Sequence, residues 1–292
     1  MDDDNRTLTE VAQELGVHYM TAYRYVRLGL LPATKVGTRW QVRRDDIAEL
    51  DRPARSRRPA ATGGASRSPS GETAEGGYGR APWAERYHAR AVASDQAGAW
   101  AVLEAAQVAG ASVESLYTAV IEPAMRTVGE RWAAGELDVA DEHRASAVTG
   151  RLLARLSPRL VRPGPSRPSV VLGGAPGDHH WLPVTMTADL VISGGWDVID
   201  LGADVPARSF VHAARSAARL GAVGISLSVS PLEQTVAELV TYLHAELPGV
   251  PVALGGSSVK SEAHARALGA DLWAPNGLEL VEALEGAVTP AG

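Results

Sequence analysis

The chain has 292 residues, 45% of them hydrophobic, no cysteine and a formal net charge of −6. Two or three domains with packed cores are expected, while disulfides, thiolate metal sites, iron–sulfur clusters and thiol catalysis are excluded. The opening MDDDNRTLTE is acidic, unlike a secretion signal, and no run approaches the roughly 18 apolar residues that span a bilayer; a cytoplasmic protein with no membrane partner is expected.

The charge is unevenly spread. Between Arg6 and Arg58 eleven basic residues face six acidic ones, leaving +5 on that segment and −11 on the remainder. A basic module on an acidic body is the asymmetry of a DNA-binding arm joined to a sensor. Residues 7–50 predict two short amphipathic helices around Gly16, with Val11, Ala12 and Leu15 on the apolar side of the first. The second, from about Tyr19 to Leu28, carries Thr21, Tyr23, Arg24 and Arg27. A two-stranded wing, TKVGTRWQV, turns at Gly37. This arrangement resembles the winged helix-turn-helix of the MerR and excisionase families. The resemblance implies a helix in the major groove, with Thr21, Arg24, Arg27, Lys35 and Arg39 contacting a double-stranded DNA operator. Tyr23 and Trp40 are assigned to packing.

Residues 53–81 are mainly Pro, Gly, Ser, Ala and Arg without apolar periodicity, the composition of a flexible linker. Closely spaced prolines make a second break at 158–168. The chain therefore divides into 1–52, a linker 53–81, a helical bundle 82–157 and a third domain 167–292. In the bundle, Leu103, Ala106, Gln107 and Gly110 share helical spacing, as do Leu116, Val120, Ala124 and Val128. Ser112 is placed as an N-cap, and a helix break falls near Gly135 before another helix starts near Val139.

The last domain alternates. Strands are predicted at 169–175, 196–202, 222–228, 251–256 and 272–275, with helices at 182–194, 206–220, 232–246, 260–267 and 278–287. The fold class is therefore multidomain α and α/β: a winged helix, a helical bundle and a doubly wound parallel sheet of Rossmann type. Ligands of such sheets lie beyond the C-terminal ends of the strands.

The loop after the first of these strands reads GAPGDHHWLP. Its Asp178 and His180, two apart, resemble the Asp-x-His-x-x-Gly motif of the cobalamin-binding fold found in methionine synthase, corrinoid methyltransfer proteins and B12 mutases. That resemblance implies His180 as the lower axial ligand of cobalt, oriented by Asp178, and Ser226, Ser228, Gly255 and Gly256 beside the buried nucleotide tail. The chain departs from the motif at Pro183 and at Ser228. His179 is the neighbouring alternative ligand.

In the bundle, Trp132 precedes Glu142 and His143 by nine intervening residues, in WAAGELDVADEH. Set between a winged helix and Asp-x-His, this pattern resembles the adenosylcobalamin-dependent photoreceptors of the CarH/LitR type, across essentially the whole chain. The resemblance implies that Trp132, Glu142 and His143 cover the adenosyl group, the indole as an apolar lid and the carboxylate as a hydrogen-bond acceptor. It further implies a repressor, not an enzyme and without catalytic residues, that binds DNA as a dimer or tetramer in the dark. Members of that family carry a histidine directly after the tryptophan; here the residue is Ala133. Two other readings stay open: a corrinoid methyl carrier, and a MerR-like regulator that has lost or exchanged the cofactor.

Overall fold

The computed structural model describes residues 5–15, 22, 25–26, 31–36, 39–50, 82–164 and 167–287. It divides into two units, 1–71 and 72–292.

In the first unit, β1 (Asn5–Thr7) leads into α1 (Leu8–Glu14), and β2 (Ala33–Val36) and β3 (Arg39–Arg43) lead into α2 (Arg44–Leu50). All pairing is antiparallel, in the order β1-β3-β2. Thr7 caps α1 and Glu10 reaches back to it, with Glu10 Oε2 accepting from the Thr7 amide at 2.7 Å. Leu8, Val11, Ala12, Ala22, Leu31, Val42 and Ile47 form the core, and Tyr25 and Trp40 pack against it. Trp40 is thus a packing residue, as expected. The wing strands are present, but β1 and α2 add two elements that the sequence reading left out.

The second unit begins with helices. These are α3 (Trp83–Val92), α4 (Gln96–Val108), α5 (Val113–Leu116), α6 (Glu122–Ala133) and α7 (Val139–Leu156). A π-helical turn at Tyr117–Ile121 joins α5 to α6. Pro123 follows directly; it has no amide to donate four residues back, so the ladder slips by one residue there. Asp95, Ser112 and Asp138 cap α4, α5 and α7 through their side chains. Leu103, Ala106, Leu116, Val120, Ala124 and Val128 are all buried. Gln107 and Gly110 depart from the predicted apolar face. Gln107 accepts from Arg159 Nη1 at 2.9 Å, and Gly110, at φ +107°, turns the chain out of α4.

A parallel sheet follows. Its strands are β4 (Arg167–Gly174), β5 (Trp196–Asp200), β6 (Leu220–Ser226), β7 (Val252–Gly255) and β8 (Leu272–Trp273), alternating with α8 (Trp181–Ser193), α9 (Ala207–Ser216), α10 (Glu233–Glu246), α11 (Glu262–Ala267) and α12 (Gly277–Ala287). The order β5-β4-β6-β7-β8 puts the topological switch between β4 and β6. Side chains alternate across it: Val170 and Leu172 meet α8 and α12, whereas Val171 meets the layer of α9, α10 and α11. One boundary moves appreciably. Helix α9 stops at Ser216, not 220, and β6 starts at Leu220 because the Arg219 carbonyl already accepts from Ser169 N at 2.6 Å.

Helix α8 belongs to both layers. Its Val184, Ala188 and Val191 face the sheet, while Leu182, Met186 and Leu190 enter the core of the helical bundle. Asp189 of α8 is buried and accepts from Tyr117 Oη at 2.8 Å and from Ser157 Oγ at 2.6 Å. Burial raises the pKa of its carboxyl above the usual carboxylate range, against those two hydrogen bonds and with help from Asp200. A raised folded value means that the ionised form burdens the fold above that value, and that the burden vanishes below the unfolded one. Asp189→Asn, which keeps an acceptor and removes the charge, should therefore raise the melting temperature at pH 7 relative to wild type. That advantage should shrink as the pH falls through the carboxylate range. Tyr117→Phe should instead lower stability by about 1–3 kcal/mol, because it leaves a buried carboxyl oxygen without its donor; thermal melts across pH test both.

Candidate functional site

The loop from Ala175 to His180 joins β4 to α8, next to the loop that leaves β6. Backbone bonds set its path: Ala175 N donates to Ser226 O at 3.0 Å and Asp178 N to Ala175 O at 2.9 Å. Gly177 takes φ +85°, which glycine adopts without strain. Its amide donates to Asp204 Oδ1 at 2.7 Å, and the Asp204 amide returns a bond to Asp178 O at 2.8 Å. Asp204 itself sits at φ +52°, a region that Asp tolerates better than most residues.

Asp178 is 1% exposed. Its Oδ1 accepts from His180 N at 3.1 Å and meets His180 Nδ1 at 2.7 Å, and its Oδ2 accepts from Ser228 N at 2.5 Å. Burial by itself would push the carboxyl up. The bond to His180 and the Ser228 amide outweigh it, and the group lies below the usual carboxylate range. An ionised Asp178 is an acceptor only, so Nδ1 carries the ring proton and the Nε2 lone pair of His180 is free to coordinate. The imidazole is half exposed. His179, the alternative, has its Nδ1 3.7 Å from Asp204 Oδ2.

Of the two serines proposed for the tail, only Ser228 is tied to the Asp–His pair, and by its amide. Its Oγ is buried and finds no hydrogen-bond partner. Ser226 ends β6 and offers its carbonyl to Ala175. Gly255 and Gly256 have reasons of their own to be glycine. A Cβ on Gly255 would lie 2.5 Å from Ala274 O, and one on Gly256 would lie 2.4 Å from Leu227 O. Pro183 stands in the first turn of α8, where its missing amide costs nothing.

Trp132 lies half-buried in the last turn of α6, and Glu142 and His143 in the first turn of α7, across the Gly135 turn. Glu142 Oε1 accepts from Ser146 Oγ at 2.6 Å, and Glu142 Oε2 is 3.5 Å from His143 Nε2. His143 is exposed. The face of α7 that carries His143 continues through Ala147 to Gly150, seven residues or about 10 Å along. Gly150 touches Trp181, the neighbour of His180.

Of the residues placed on DNA, Thr21, Arg24 and Arg27, like the Gly37 turn and the linker 53–81, lie outside the described residues. Lys35 and Arg39 sit on β2 and β3, their backbones paired with Trp40 and Val36. Reading the sequence missed Asp204, Asp189 and Trp181. Asp204 alone left a trace, as an acidic residue in the short GADVP turn after β5.

Comparison with known proteins follows this division. Residues 83–157 and residues 168–284 each match a B12 binding domain, and residues 7–50 match a helix-turn-helix domain. A corrinoid protein of Desulfitobacterium hafniense is 30% identical over 165 residues, which cover 54% of this chain and 75% of that one. The chain belongs to the family of B12-binding corrinoid proteins. Another relative, the HTH-type transcriptional repressor CarH of Myxococcus xanthus, is 32% identical over 181 residues, covering 61% of this chain and 59% of the repressor. The monomethylamine corrinoid protein of Methanosarcina barkeri shares the fold, with a TM-score of 0.60 at 21% identity over 70% of this chain and 98% of its own.

The donor set suits the cofactor of this B12-binding family. Among the described residues no group of three or more His, Asp or Glu could hold a bare metal ion. His180 offers a single imidazole nitrogen, a donor that a metal already held by a corrin would suit. The orphaned Ser228 Oγ beside the pair suits a polar appendage of such a ligand. Asp178→Asn should expose how much the pair depends on the carboxylate. An asparagine presents an NH2 to one of the three donors, so the His180 ring should shift towards the Nε2–H tautomer in 15N spectra, with a stability loss of about 1–3 kcal/mol.

Proposed function

We propose that the protein is a transcriptional repressor that binds a double-stranded DNA operator as a dimer or tetramer when loaded with adenosylcobalamin in the dark, and releases it on illumination. One observation carries this reading: a buried carboxylate fixes a half-exposed imidazole at the switch point of the sheet, on a chain that also matches a helix-turn-helix domain. The M. xanthus relative, a transcriptional repressor, supports the regulatory half of the proposal.

Cobalamin, when bound, would supply a cobalt that an imidazole can coordinate and, in its adenosyl form, light-sensitive cobalt–carbon chemistry. His180 would coordinate the cobalt, and Asp178 would hold its tautomer. Ser226, Ser228, Gly255 and Gly256 border the nucleotide tail. Trp132 is the apolar cover over the upper face, and Glu142 and His143 present hydrogen-bonding groups to the adenosyl moiety. Residues 1–52 bind DNA through Thr21, Arg24, Arg27, Lys35 and Arg39, the segment 53–81 is a tether, 82–157 is the cap, and 167–292 holds the cofactor. No residue is given a catalytic role. Coupling between light and DNA requires that the cofactor favour one of the protein's two states over the other.

The corrinoid relatives support a second reading, a methyl carrier serving a methyltransferase. The helix-turn-helix match at 7–50 weighs against it, since a carrier has no use for a DNA-reading arm. Absorption spectra decide between these. His180→Ala should lose the histidine-ligated spectrum of added adenosylcobalamin, while His179→Ala should keep it; an unchanged spectrum in His180→Ala removes the ligand assignment. Green light should alter the wild-type spectrum and weaken operator binding together. With Ala133 beside Trp132, illuminated protein should accept added cyanide or imidazole readily, and Ala133→His should slow that exchange. DNA affinity should fall steeply with salt, as counterion release requires, and Arg24→Ala or Arg39→Ala should reduce it.

A further inference from the structure

Trp181 follows His180 directly and opens α8, yet it stays 41% exposed. The edge of its indole lies on Gly150 of α7. A Cβ built on Gly150 would stand 2.3 Å from Trp181 Cη2, 3.1 Å from Cζ2 and 3.4 Å from Cζ3. Gly150 lies well inside an 18-residue helix and not among the residues with positive φ, so the backbone gives no reason for glycine there. Glycine in a helix interior is a destabilising choice. What it supplies at 150 is room for the ring.

The surroundings say where this contact matters. Behind Trp181, α8 is fastened to the bundle by Leu182, Met186 and Leu190, and further along by Asp189 with Tyr117 and Ser157. Next to it in the chain is His180, and the α7 face that holds Gly150 also carries His143, seven residues away. The indole therefore touches the bundle from the residue next to His180. A ring resting on glycine is held by dispersion alone, without hydrogen-bond registry.

We propose that Trp181 is a gate of the cobalamin site: seated on Gly150 it closes the passage between bundle and sheet, and cobalamin displaces it on entering, with the bundle still anchored at Asp189. The inference rests on the cobalamin reading above. It assigns Trp181 to the control of entry, and Gly150 to the ring's closed seat.

Stopped-flow absorbance with hydroxocobalamin and the full-length chain tests it, following the spectral change of histidine ligation. Trp181→Ala removes the gate leaf, and Gly150→Ala removes its seat by placing a methyl where the ring lies. Both should speed uptake, on the order of tenfold, within the range over which association rates vary among variants of one interface. The double variant should be no faster than Trp181→Ala, because no ring is left to displace. Trp181→Phe, a smaller ring in a side chain that the fold tolerates, should fall between wild type and alanine. Uptake that is unchanged or slower in Gly150→Ala and in both Trp181 variants overturns the gate while leaving the cofactor reading in place. Wild-type protein that develops no histidine-ligated spectrum overturns the cofactor reading itself, and the gate with it.

Discussion

The site depends on one buried carboxylate. Removing a charge from water is costly unless its lone pairs are filled, and Asp178 fills them with the two donors of His180 and the amide of Ser228. Those donors come from two different strand-to-helix loops, and they meet because β4 and β6 are neighbours although β5 lies between them in sequence. A sheet ordered 1-2-3 along the chain would have left the β6 loop a strand away. The adjacency created by the switch point is what lets one carboxylate both close the loop and aim the imidazole.

The same logic extends outward through α8. A helix that begins at the imidazole and is apolar on two stripes packs into two cores at once. Sheet and bundle thus share a single rigid element, and the position of His180 relative to α7 is fixed by side chains up to nine residues away. Asp189 at the far end adds polar specificity to this packing: its partners Tyr117 and Ser157 belong to the bundle, so sliding the helix by one residue would strand a buried carboxyl.

Much of this was legible from residue order, for identifiable reasons. The strand–helix alternation shows because short apolar runs recur between helical stretches, those of β4 and β7 ending in glycine, and Asp178 and His180 stand out because both groups lie in one loop. The Ser112 cap follows from local chemistry and is present. What escaped is non-local. β1 spans Asn5–Thr7 and exists through its pairing with β3. Helix α8 was legible as a helix at 182–194, but its packing into two cores was not, because its two apolar stripes blur each other. Tyr117 and Asp189 are 72 residues apart, and neither announces the other. Gln107 and Gly110 fit a helical spacing on paper, yet the first bonds Arg159 and the second ends the helix.

The departures from the cobalamin motif carry different physical weight once their surroundings are known. Pro183 falls in the helical turn that has no amide to lose, so the exchange of glycine for proline leaves the Asp178–His180 geometry intact. Gly255 and Gly256 are demanded by the carbonyls of Ala274 and Leu227, so their presence would be required of this crossing with or without a nucleotide alongside. Ser228 is the informative one. Its backbone amide does the work of holding Asp178, which any residue but proline could do, while its hydroxyl is buried without a partner. An unfilled buried hydroxyl costs about 1–3 kcal/mol, and leucine at this position would avoid that cost. A polar group brought in by a ligand would recover it, so the serine that breaks the motif adds a hydrogen-bonding demand to the site where the motif's leucine would have added none.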